Sequence, residues 1–182
     1  AKVDGRRRSC LVDTGWSFTT ISTNTAIRLA QTNLIPQLTL GRVSLTNESV
    51  RVEDLRVNGQ PASYDMVLGC DFLLRHQAII DCAGLRLYLR GAELPLGEEA
   101  EWQQGLRAAG LRPVDMKLRQ PWALTCDSQF QDRSVTWLVD SGAMWSCLDT
   151  KVAREFNLRL SPSPNQISGA VTADKKSFLV TT

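Results

Sequence analysis

Leu11-Val12-Asp13-Thr14-Gly15 is the stretch whose reading decides how this chain folds: two apolar strand residues run into a carboxylate, a hydroxyl and a glycine. Asp projects where the strand stops, the Thr hydroxyl is placed to bond a partner loop, and Gly permits the tight turn that follows. The same word returns at Leu138-Val139-Asp140-Ser141-Gly142, 127 residues further on. A single D-[ST]-G is a common turn in which the aspartate caps its own backbone. Two copies, each following Leu-Val and each preceded by a polar hairpin-like segment, predict an internal repeat.

Working outward, Asp4-Gly5 between extended runs predicts a hairpin over residues 1–12 whose second strand delivers Asp13. Residues 122–130 and 134–139 repeat it, with Gln131-Asp132-Arg133 at the turn. After the first loop, residues 17–22 read as a strand and residues 23–31 as a short helix capped at Thr23 or Asn24. Residues 151–158 echo that helix through Val152, Ala153 and Phe156. Apolar alternation over residues 38–57 predicts a long hairpin with Thr46-Asn47-Glu48 at its tip, and residues 166–180 echo it. Met66-Val67-Leu68-Gly69 is a second apolar run stopped by glycine, followed by a helical turn at residues 71–75 and strands at 78–81 and 85–89. The repeat thus divides the chain into a first unit at 1–91, a linker with a short helix at 92–120, and a partial second unit at 121–182. The second copy stops before any counterpart of Leu68-Gly69, so it is expected to borrow strands from a second chain or a retained cleaved segment.

Composition narrows the function class. Hydrophobic residues at 43% and charged residues at 22% describe an ordinary globular chain with no membrane segment. A net charge of +2 is too small to argue for nucleic acid, and Arg6-Arg7-Arg8 reads as the solvated face of a hairpin strand. Five cysteines without a C-x-x-C pair, and one histidine, His76, make a zinc site improbable. The cysteines, set among apolar neighbours, are expected to be mostly buried small hydrophobes, a weak pointer to a reducing compartment. Residue 1 falls inside a strand-like run, so a trimmed N-terminus is expected and localisation stays open.

Leu11-Val12-Asp13-Thr14-Gly15, a hairpin, then Leu68-Gly69-Cys70-Asp71-Phe72-Leu73 in that order resemble the retropepsin-type aspartic proteases. The resemblance covers residues 1–91 as a nearly whole unit and 121–182 as the first two thirds of another. It implies an all-β fold of closed β lobes with short helices, two lobes related by pseudo-two-fold symmetry so that the two D-[ST]-G loops meet. By resemblance Asp13 and Asp140 are the catalytic carboxylates. Thr14 and Ser141 supply hydroxyl contacts between lobes, Gly15 and Gly142 let the loops turn closely, and Leu68-Gly69 forms the inner loop supporting Asp13. Trp16, Asn47 and the hairpin around it are the candidate substrate contacts. Trp16 departs from the small residue usual there, which Ala143 keeps in the second copy, and the expected tip at residues 46–48 lacks glycine.

The implied reaction is hydrolysis of an extended polypeptide substrate, with one ionised and one protonated carboxyl sharing a water between them. This chemistry requires no metal or organic cofactor. Asp71 reads as a residue that caps the following helix or bonds nearby backbone, and His76 as solvated. Two alternatives stand beside the single-chain enzyme: a homodimer using Asp13 from each of two chains, and a non-catalytic peptide-binding or dimerisation module.

Overall fold

The computed structural model describes residues 1–30, 33–57, 60–89, 98–119, 123–162, 167–169, 172–175 and 178–181. The chain is mostly β-sheet with a few short helices, as the sequence predicts at that level. No described helix is long and apolar enough to cross a membrane. Two compact units divide the chain by contact rather than by repeat: residues 1–11, 20–67 and 143–182 form one, and residues 12–19 and 68–142 the other. Both aspartate loops belong to the second.

In the first unit, Lys2–Val3 pairs with Arg6–Arg7 across Asp4-Gly5, which take φ +46° and +76°, the left-handed pair of a two-residue hairpin turn. Lys2–Val3 also pairs with Leu34–Leu40, and that strand with Val43–Ser49, making a four-stranded sheet. The expected hairpin exists, but its tip is not at Thr46-Asn47-Glu48. Leu40 faces Val43 and Leu38 faces Leu45, so the chain reverses at Gly41-Arg42, with Gly41 at φ +59°. Apolar pairs facing across the strands fix that register, and the polar run at 46–48 lies inside the second strand. Asn47 adopts φ +58° there, a conformation Asn tolerates without a turn.

A second sheet orders Cys10–Val12, Met66–Leu68, Thr20–Ser22 and Arg51–Glu53. Val3, Ile21, Ile35, Leu38, Met66 and Val67 are wholly buried, and each such side chain contributes about 1.5–3 kcal/mol relative to exposure. The helix Thr23–Leu29 is capped by Ser22, one residue before the expected caps, because the Ser22 hydroxyl accepts from Thr25 N–H at 3.3 Å. Ala30 closes it in the left-handed region, and Gln31 lies outside the described residues. The echoing helix Thr150–Glu155 is capped by Asp149 and buries Ala153 and Phe156. Arg159–Pro162 pairs with Phe178–Thr181 and Ile167–Gly169 with Thr172–Lys175. The rest of the predicted hairpin over 166–180 lies outside the described residues.

In the second unit, Met116–Arg119, Ala123–Phe130 and Arg133–Leu138 form an antiparallel sheet. Its hairpin turns at Gln131-Asp132, with φ +48° and +61°, the same turn geometry as Asp4-Gly5. The helices Cys70–Arg75 and Glu98–Ala108 and the hairpin of Ile79–Asp81 with Arg86–Tyr88 complete it. Linker residues 92–97 and 120 and strand residues 121–122 lie outside the described residues. All five cysteines are free thiols and only Cys70 is buried, whereas Cys82 and Cys147 are exposed in non-strand segments. The expectation of mostly buried cysteines therefore fails: apolar sequence neighbours do not bury a residue that sits in a turn.

Candidate active site

Each aspartate ends a strand that is pinned at its last backbone position. Asp13 N–H donates to Leu68 O at 3.1 Å, so the wholly buried strand Met66–Leu68 holds the first loop from inside. Val139 N–H, just before Asp140, donates to Leu124 O at 2.9 Å. Beyond those points the two loops bond to each other. Thr14 N–H donates to Ser141 Oγ at 3.0 Å, and Ser141 N–H donates to Thr14 Oγ1 at 2.9 Å. Thr14 Oγ1 in turn donates to Val139 O at 2.7 Å, and Ser141 Oγ to Val12 O at 3.0 Å. Each of these bonds between the loops has its counterpart displaced by one repeat.

The same reciprocity reaches the carboxylates. Gly15 N–H donates to Asp13 Oδ1 at 2.8 Å and Gly142 N–H to Asp140 Oδ1 at 2.9 Å, an Asx-type turn in each loop. Each carboxyl then lies over the other loop's glycine. A Cβ built on Gly15 would stand 2.5 Å from Asp140 Cγ, and one on Gly142 would meet the Asp13 carboxyl. Neither glycine has a positive φ, so close approach is what requires them. The glycines thereby let the two carboxyls come within hydrogen-bond reach of each other.

The two acids differ in surroundings. Asp13 is only 8% exposed, whereas Asp140 is exposed. Burial, foremost, and then the hydrogen bond and negative charge of Asp140 push the Asp13 pKa up to about 6, against the pull of the Gly15 and Trp16 N–H groups. Burial thus favours the protonated form of Asp13.

The remaining predicted residues fall around this centre or away from it. Gly69 is required by packing, since a Cβ there would stand 2.7 Å from the Phe18 backbone and 2.8 Å from Trp16 O. Trp16 is half-buried, and its carbonyl accepts from Cys70 N–H at 2.8 Å. Asn47 is exposed and belongs to the first unit. Asp71 is committed to structure: its Oδ1 accepts from Thr19 N–H, Thr19 Oγ1 and Phe72 N–H at 2.7, 2.8 and 2.7 Å. His76 is half-buried rather than solvated, tilted against Phe72 with ring centroids 4.4 Å apart. Two participants were not singled out by sequence reasoning: Thr19, whose hydroxyl also accepts from Gly69 N–H at 3.2 Å, and Cys70, whose thiol donates to Thr14 O at 2.9 Å. Their only sequence signal is adjacency, Cys70 to Leu68-Gly69 and Thr19 to the first loop. Neither a protein-family model nor a curated protein matches the chain.

Proposed function

We propose that this chain is an aspartic endopeptidase of the retropepsin type, with two closed β lobes related by pseudo-two-fold symmetry in one chain. The observation that carries the reading is the reciprocal bonding of the Thr14 and Ser141 loops, with two carboxyls within hydrogen-bond reach and one of them raised to about 6. A pair that holds one proton offers both halves of general acid–base hydrolysis at once. Asp140, exposed, is the base that takes a proton from the attacking water. Asp13, buried and protonated, gives its proton to the peptide carbonyl oxygen as the tetrahedral intermediate forms. Asp140 then gives the proton it took to the amide nitrogen while the proton of the intermediate's hydroxyl returns to Asp13, so the C–N bond breaks, the amine leaves and the pair is restored. An extended polypeptide is the substrate of this reading, because β lobes offer backbone partners along a strand. A second chain or a retained cleaved segment completing the second lobe is part of the same proposal. It is supported by the edge position of Arg133–Leu138 among the described strands and by Leu138, 53% exposed.

The test is cleavage of a peptide library by the purified protein and by Asp13→Asn and Asp140→Asn, with circular dichroism to check folding. Each substitution should lower turnover by orders of magnitude, and a peptide mimic carrying a hydroxyl at the scissile carbon should inhibit the parent. Full activity in Asp140→Asn would favour a homodimer built on Asp13 alone. Activity untouched by either change would end the protease reading and leave a peptide-binding or dimerisation module.

A further inference from the structure

Cys70 is the one wholly buried cysteine, and it sits directly behind the first aspartate loop. Its thiol donates to Thr14 O at 2.9 Å. Leu124 O accepts from Val139 N–H at 2.9 Å, and Val139 O accepts from Thr14 Oγ1 at 2.7 Å. These three bonds form a chain from Cys70 through Thr14 and Val139 to Leu124. Thr14, whose carbonyl the thiol anchors, thus ties the loop of Asp13 to the sheet that carries Asp140.

We infer that Cys70 is a positioning residue for the carboxyl pair, its thiol fixing the Thr14 peptide so that Asp13 and Asp140 are held within hydrogen-bond reach. The argument is geometric. Thr14 follows Asp13 directly, and its carbonyl lies in the peptide that leads to Gly15, whose N–H holds Asp13 Oδ1. Rotation of that peptide plane would swing the Gly15 N–H away from Asp13. A buried carbonyl left without its donor also costs free energy, so the loop would relax rather than keep the geometry. The ionisable groups facing the thiol are Asp13, Asp71 and Asp140. Burial, foremost, and then these carboxylates push the thiol's pKa up and keep it in its protonated, donating form. Total burial also removes it from the solvent-exposed, low-pKa setting of reactive thiols.

The inference rests on the protease reading for what the pair does, but its test need not. In the full chain, the pH titration of the Gly15 and Gly142 amide nitrogens reports the carboxyls they bond, with or without turnover. In the parent the Gly15 signal should titrate near pH 6. In Cys70→Ala the midpoint should fall by about one unit as the acids separate and Asp13 gains solvent. Cys70→Ser, which keeps a donor and an acceptor, should bring it most of the way back, and Cys70→Val supplies the donor-free comparison if the alanine variant does not fold. Where peptides are cleaved, kcat should fall about tenfold in the donor-free variants with KM little changed. A folded donor-free variant whose midpoint matches the parent overturns the inference and leaves the protease reading intact. A midpoint that falls and is rescued by Ser, in a parent that cleaves no peptide, supports the positioning role while the protease reading fails.

Discussion

Thr14 and Ser141 each give their backbone N–H to the other's hydroxyl, at 3.0 and 2.9 Å, and each hydroxyl gives its own proton to the carbonyl preceding the other's aspartate. Four bonds therefore depend on two oxygen atoms. Thr14 is 7% exposed, so Thr14→Val strands a donor and an acceptor where water enters poorly. It should cost about 1–3 kcal/mol of unfolding free energy, while Thr14→Ser stays near the parent. Ser141 is exposed, and Ser141→Ala should cost less because water can replace the lost partner. Urea unfolding of the three variants checks the order, and an equal cost for Thr14→Val and Ser141→Ala would refute it.

Glycine at position 15 is required by its neighbour rather than by its own backbone. Gly15→Ala sets a methyl 2.5 Å from Asp140 Cγ and must push the carboxyls apart, so peptide cleavage should fall at least a hundredfold. Gly105 is the control: it lies in the helix Glu98–Ala108 with nothing within 4 Å of an added Cβ. Gly105→Ala should leave cleavage unchanged and raise stability by up to about 1 kcal/mol.

Stability should fall as pH rises through the window set by Asp13. Its folded pKa of about 6 stands above the usual 3.8 of an aspartate, so between these limits the folded chain binds more protons than the unfolded one. The favourable contribution is complete below about pH 4 and is lost as pH climbs through 6, a swing on the order of 3 kcal/mol for a shift of this size. Denaturation midpoints measured from pH 4 to 7 should show this loss superimposed on other titrations. Asp13→Asn should remove it, and an unchanged pH profile in that variant would assign the titration elsewhere.

The two acids form one functional unit, so their losses should not add. Asp13→Asn with Asp140→Asn should be about as slow as the worse single variant, whereas independent contributions would multiply. Single-turnover cleavage by the double variant decides between the two.

The core of this site could be read from ten residues. Leu-Val-Asp-Thr/Ser-Gly carries much of its own instruction, a strand, a projecting acid and a bridging hydroxyl, whereas the need for glycine comes from the other loop's carboxyl. What the sequence did not disclose is where side chains meet across distance. Thr46-Asn47-Glu48 has turn chemistry and so points to the wrong hairpin tip, whereas the register is decided by the facing pairs Leu38 with Leu45 and Leu40 with Val43. Cys70 looked like one more small hydrophobe, since a thiol's partner at Thr14 is fixed only once the chain has folded back on itself. The unequal burial of Asp13 and Asp140 was equally hidden, because two matching words in sequence say nothing of what covers each.

The reciprocal bonds between the loops also set a timetable. Thr14 and Ser141 are 127 residues apart, so joining them costs about 3 kcal/mol of loop-closure entropy beyond that of a local turn. At ordinary rates of translation, on the order of ten seconds pass between the emergence of the two loops. Throughout that interval Asp13 has no second acid beside it. Under the proposed function, the nascent chain is thus hydrolytically silent beside the ribosome, and competence arrives only with the residues around Ser141.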